Sequence, residues 1–141
     1  MIITVFHVDA EGSADTTTNF KVKIVPTHPL SEYSKVRLVS HAITLAGTYD
    51  ASHFPILVKV KGIGTRNNYS TNTLGTYTTE NIMAIINPVA TTPSPDTYPW
   101  IKISNFVSLE MNILLEYYNG AGTVPCDASK VTKSMFQFEF A

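Results

Sequence analysis

Cysteine is nearly absent from this chain. Cys126 is the only one in 141 residues, so no intrachain disulfide can staple the fold, and stability must come from a buried core. Charge is scarce as well. Asp, Glu, Lys and Arg make up 15% of the chain, against roughly 25% in an average domain, and the formal net charge of −1, with Lys and Arg dispersed, offers no basic field to nucleic acid. No stretch approaches the ~20 consecutive apolar residues of a membrane-spanning helix. The opening MIITVFHVDAEG lacks the basic flank and the long apolar run of a signal peptide, so synthesis in a cytosol is expected and the Asn68-Tyr69-Ser70 sequon is expected to go unused. Catalytic signatures are missing too. Gly62 and Gly64 have neither the third glycine nor the lysine of a phosphate loop, there is no GxSxG, and Cys126 sits in a polar loop with no histidine close in sequence.

What is present is period-2 alternation, and it is clearest in residues 33–64. Val36, Leu38, Ser40 and Ala42 alternate with Arg37, Val39, His41, Ile43 and Leu45. Further on, Ile56, Val58 and Val60 alternate with Leu57, Lys59 and Lys61, so the pattern predicts one apolar face and one face whose two lysines reach water. Gly47, Asp50 and Ser52 supply turn chemistry between the two runs, and Pro55 stands where a strand can begin without an N–H. The same alternation marks Phe20, Val22 and Ile24 against Lys21 and Lys23. It returns in Leu109, Met111, Ile113, Leu115 and Tyr117, a run that ends at the strong turn signal Asn119-Gly120. Residues 135–140 set Phe136, Phe138 and Phe140 on one face, which must be buried. A short strand is expected at 100–104. The apolar run 82–86 reads as a strand or a single helical turn.

The pattern therefore predicts one all-β domain over residues 1–141, a single jelly-roll β-sandwich of about eight antiparallel strands and no helix. Residues 2–8 are apolar on both faces, as in a strand covered on two sides or an arm docked against something else. Ile3, Val5 and Phe6 of this segment are candidate interface residues. Tyr69 and Tyr77 in the long polar stretch 65–80 join them, since long loops in compact domains tend to be functional. Tyr98 and Trp100 supply further aromatic surface, which suits either packing against neighbours or binding a sugar. Low charge with 11% aromatic residues is the composition of a chain that packs against copies or partners, and also of a plain Thr-rich β-protein.

The four histidines offer one constellation: His41 and His53 flank a hairpin-like connection that also holds Asp50. Nothing in the spacing is that of a metal site, and His28 lies alone between Pro26 and Pro29. No catalytic residue, metal or cofactor is assigned.

Five segments, NFKVKIVPTHPL, SKVRLVSHAITLAGTYD, FPILVKVKGIG, SLEMNILLEYYNGAGTVP and the closing SMFQFEF, follow one another in a recognisable order. In them the chain resembles the single jelly-roll minor capsid and penton-type proteins of polinton-like viruses, virophages and related large double-stranded DNA viruses. Ile43-Thr44-Leu45 departs from an Ile-Pro-Asn-type step often found there. Cellular jelly rolls of the tumour-necrosis-factor or lectin kind share the same rhythm. The resemblance implies a structural, non-enzymatic virion subunit made in the host cytoplasm. Such a subunit associates with itself, in fives sooner than threes, and with a major capsid protein. The alternative it leaves open is a carbohydrate-binding module.

Overall fold

The computed structural model describes residues 1–7, 15–25, 29, 32–61, 64–65, 81–87, 98–105 and 110–141. Its strands are β1 (Ile2–His7), β2 (Asn19–Lys23), β3 (Lys35–Leu45), β4 (Ile56–Lys61), β5 (Gly64–Thr65), β6 (Asn81–Ile86), β7 (Ile101–Asn105), β8 (Glu110–Tyr118), β9 (Thr123–Pro125) and β10 (Val131–Phe140). A 3-10 turn, Ala51–His53, lies between β3 and β4, and Asp50 caps it by accepting from the Ser52 amide. No helix among the described residues is long and apolar enough to cross a membrane.

Two antiparallel sheets form a β-sandwich. Sheet 1 runs β1-β10-β3-β7-β5 and sheet 2 runs β2-β8-β4-β6, with β9 added beside β8. The long-range pairings nest. β1 pairs with β10, β2 with β8, β3 with β7 and β4 with β6, so partners draw inward from the two ends of the chain like the arms of one long hairpin. β10 then closes on β3, and β8 on β4, which rolls the hairpin into two layers.

The core between the layers follows the predicted alternation. Phe136, Phe138 and Phe140 of sheet 1 meet Phe20, Ile56, Val58, Val60, Met111, Ile113 and Leu115 of sheet 2 in one cluster, and the Phe20 and Phe136 rings stack across it at 6.4 Å. The run 82–86 is strand, with Met83 and Ile86 buried. Asn119-Gly120 makes the expected turn into β9. Gly120 adopts φ +97, a left-handed conformation that favours glycine, and Asn119 Oδ1 accepts from the amides of Ala121 and Gly122.

Two expectations fail, each for a physical reason. The alternation of β3 breaks at Val39, because Gln137 pairs with Ser40 and Phe138 with Leu38, leaving Val39 as an extra residue. The bulge puts Val36 and Leu38 on the same core-facing side as His41, Ile43 and Leu45, which strict alternation would have placed opposite. The second failure is Lys59. It lies on the face of sheet 2 turned away from the core, yet its side chain is 1% exposed. Its ammonium stands 3.0 Å from Glu116 Oε2 on the neighbouring strand and donates to Thr123 Oγ1 at 2.8 Å. An ammonium can leave water when a carboxylate and a hydroxyl replace its hydration.

Candidate functional site

The outer face of sheet 1 is built in rows that run across the strands. Residues opposed in register point to the same side, so the pairing of β1, β10 and β3 fixes each row. One row is Ile2, Glu139 and Arg37. Arg37 donates from Nε to Glu139 Oε2 at 2.9 Å. Its guanidinium also lies 4.5 Å from the ring centre of Trp100, and Lys35 Nζ approaches the same ring at 4.5 Å. The next row is Thr4, Gln137 and Ser40, linked by Gln137 Nε2 to Thr4 Oγ1 at 3.3 Å and by Ser40 Oγ to Gln137 Oε1 at 3.1 Å. The third row, Phe6, Met135 and Ala42, is wholly apolar. A shallow cleft of ≈ 570 Å³ opens beside it, with Thr44 and His7 in its lining.

Apolar side chains on this face stand in solvent. Ile2 is 62% exposed, Phe6 57% and Met135 40%. β1 is also the terminal strand of its sheet. Met1 and Phe140 exchange both backbone bonds, the Met1 ammonium donating to the Phe140 carbonyl and the Phe140 amide to the Met1 carbonyl. In an antiparallel ladder bonded pairs alternate, so the amides and carbonyls of Ile3, Val5 and His7 point to β10. Those of Ile2, Thr4 and Phe6 point outward, and among the described residues no strand pairs with them.

The candidate interface residues separate accordingly. Phe6 lies on the open face, Val5 belongs to the core at 7% exposure, and Ile3 packs half-buried against that core. Tyr98 is half-buried and bonded to His41 Nε2 at 3.0 Å. Trp100 is half-buried under its two cations. Tyr69 and Tyr77 lie outside the described residues.

The structure does not gather the histidine constellation. His53 meets Asp50 at 3.5 Å and stacks on Tyr117 with ring centres 3.9 Å apart, whereas His41 takes Tyr98 as its partner. Burial lowers the pKa of His41 and raises that of the Tyr98 phenol. Hydrogen bonds from the Ser52 amide and hydroxyl hold the Asp50 carboxyl below its ordinary value. Among the described residues no group of three His, Cys, Asp or Glu could hold a metal ion.

Three features were not visible in the sequence. Cys126 lies in the loop after β9, yet its side chain joins the core at 3% exposure. Burial pushes its thiol pKa up, away from the thiolate a nucleophile needs. The Tyr49 hydroxyl donates to the His53 carbonyl at 3.0 Å and lies 3.4 Å from Cys126 Sγ, and burial, reinforced by that sulfur, drives its pKa upward. His7 and Ser134 oppose one another beneath the apolar row. Ser134 Oγ is committed to the Thr17 carbonyl at 2.8 Å, and His7 Nδ1 is buried with no hydrogen-bond partner among the described residues. A buried hydroxyl already donating to a carbonyl is poorly placed to attack a substrate. The face offers surface and an open strand edge, and compared with known proteins the chain matches no family model, no curated protein and no solved structure.

Proposed function

We propose that this domain is a structural subunit of a virion, a minor capsid or vertex protein of the single jelly-roll kind that associates with copies of itself and with a major capsid protein. The observation that carries the reading is the nesting of the strand pairs. A hairpin of eight main strands rolled so that its outer arm closes on its inner one supports the jelly-roll winding that the segment-by-segment resemblance implies. A fold alone does not assign a role. The outer face of sheet 1 adds to it, because Ile2, Phe6 and Met135 stand exposed on a chain poor in charge, the chemistry of a surface that another protein covers. The reading assigns no catalytic step and no cofactor. Trp100 lends the carbohydrate-binding alternative little, since its ring already faces Lys35 and Arg37.

The test is electron microscopy of the purified chain as its concentration is raised. Closed assemblies of uniform size support a capsid-type subunit. Single particles at every concentration, with binding on a glycan array that is lost in Trp100→Ala, would replace this reading with the lectin-like one.

A further inference from the structure

We infer that β1 is a homotypic docking strand, which joins two copies of this chain edge to edge across a two-fold axis centred on Thr4. The inference rests on the self-associating reading above and names the contact through which it begins.

Among the described residues the outer edge of β1 is unpaired. Ile2, Thr4 and Phe6 direct their amides and carbonyls away from β10, an open row of donors and acceptors that another strand can complete. Natural edge strands carry devices against such pairing: lysine, proline, a bulge or an inward charge. β1 has none. Its sequence IITVFH contains no charged residue apart from a titratable histidine and no proline, and its register with β10 runs without a shift. At the corresponding end of sheet 2 the edge strand β2, of similar length, does carry them. Its outward residues are Asn19, Lys21 and Lys23, all exposed. Where β1 and β2 lie side by side, the chain thus guards one edge strand and leaves the other open.

The occupant follows from the order of side chains along β1. An antiparallel copy centred on Thr4 sets Thr4 against Thr4, and Ile2 against Phe6 at both ends. Each of these opposed pairs is one whose backbone groups face the gap, so each can exchange two hydrogen bonds. On the outer face the same register brings the exposed Ile2 side chain of one copy beside the exposed Phe6 of the other, a cross-strand aliphatic–aromatic pair, with a threonine pair between them. No like charges are opposed. Two five-stranded sheets become one of ten. A contact of three outward residues per copy is small beside the 20–30 residues a side of a standard interface, so the pair forms in a concentration-dependent way. An isologous contact closes on itself, and a ring of five or three would use other surface.

Three variants of the full chain test this. Thr4→Cys places two thiols at an opposed, hydrogen-bonded position, where Cα atoms lie ~5.5 Å apart, within disulfide reach. Mild oxidation is expected to give a covalent dimer, with the buried Cys126 unreactive. Phe6→Cys leaves its thiols four strand positions apart, ~14 Å along the strand, and is expected to give none. Thr4→Lys sets two ammonium groups against each other at the axis and should weaken association about tenfold. The far-UV circular dichroism and urea midpoint of Thr4→Lys verify that it folds, as expected for a substitution on an exposed face. A disulfide in Phe6→Cys but not in Thr4→Cys, or self-association unchanged in folded Thr4→Lys, would overturn the β1 contact and leave the structural reading standing. A wild-type chain monomeric at all concentrations would overturn both.

Discussion

β1 and β2 are the terminal strands on corresponding edges of the two sheets, and they begin from the same pattern. Each alternates, and each sends one set of side chains into the shared core, Val5 from β1 and Phe20 from β2. They part on the other side. β2 presents Lys21 and Lys23 to solvent, whereas β1 presents Ile2, Thr4 and Phe6. Burial makes both strands; the charge on the outward residues decides whether the strand also stays alone. The fold needs only the inward half of each sequence, and the outward half is free to carry the instruction about neighbours.

Both strands depend most on the core residue they share. Phe136 pairs with Val5 in register and stacks on Phe20 at 6.4 Å, with no exposed surface of its own. Phe136→Ala should cost about 3–5 kcal/mol, read as a fall in the urea midpoint, and should loosen both edges together. Next comes the lysine that does not guard. Lys59 is buried against Glu116 where Lys21 and Lys23 are solvated, so Glu116→Gln, which leaves the ammonium without its carboxylate, should cost about 3 kcal/mol. Removing Lys21 or Lys23 should move stability by less than about 0.5 kcal/mol. The double change Lys21→Thr and Lys23→Thr has its effect elsewhere. It gives β2 the uncharged edge of β1 and should add a second mode of self-association, visible as species larger than the dimer in light scattering. The smallest effect is a pH dependence at His41, the core-facing residue beyond the β3 bulge. Burial lowers its folded-state pKa from 6.5, so the unfolded chain binds the proton more readily, and stability should fall as pH drops through about 6.5. His41→Gln should flatten that part of the urea-midpoint profile.

Much of the sandwich is written in local alternation. Phe136, Phe138 and Phe140, like Ile56, Val58 and Val60, can be assigned to the core from their spacing because burial of one sheet face imposes period 2. The β3 bulge is a different matter. It arises where β10 and β3 fit together, and Val39 is a good strand residue that carries no mark of being extra. β10 begins at Val131, earlier than its aromatic run suggests, since Thr132 and Lys133 blur the alternation at a second register shift. Lys59 reads as solvated until its partner appears 57 residues away, and His41 meets Tyr98 across the same separation. Both faces of β1 read as mostly apolar, but which of them is open depends on sheet 2 covering the other. Candidate surface is therefore visible in composition, while its orientation requires the pairing.

The most direct measurement is sedimentation velocity of the wild-type chain and Thr4→Lys side by side over a wide range of concentration. Dimers or even-numbered assemblies that grow with concentration in the wild type, shifted to about tenfold higher concentration in the variant, are the predicted result. Superimposable profiles for the two proteins would contradict the claim that β1 is where copies of this chain meet.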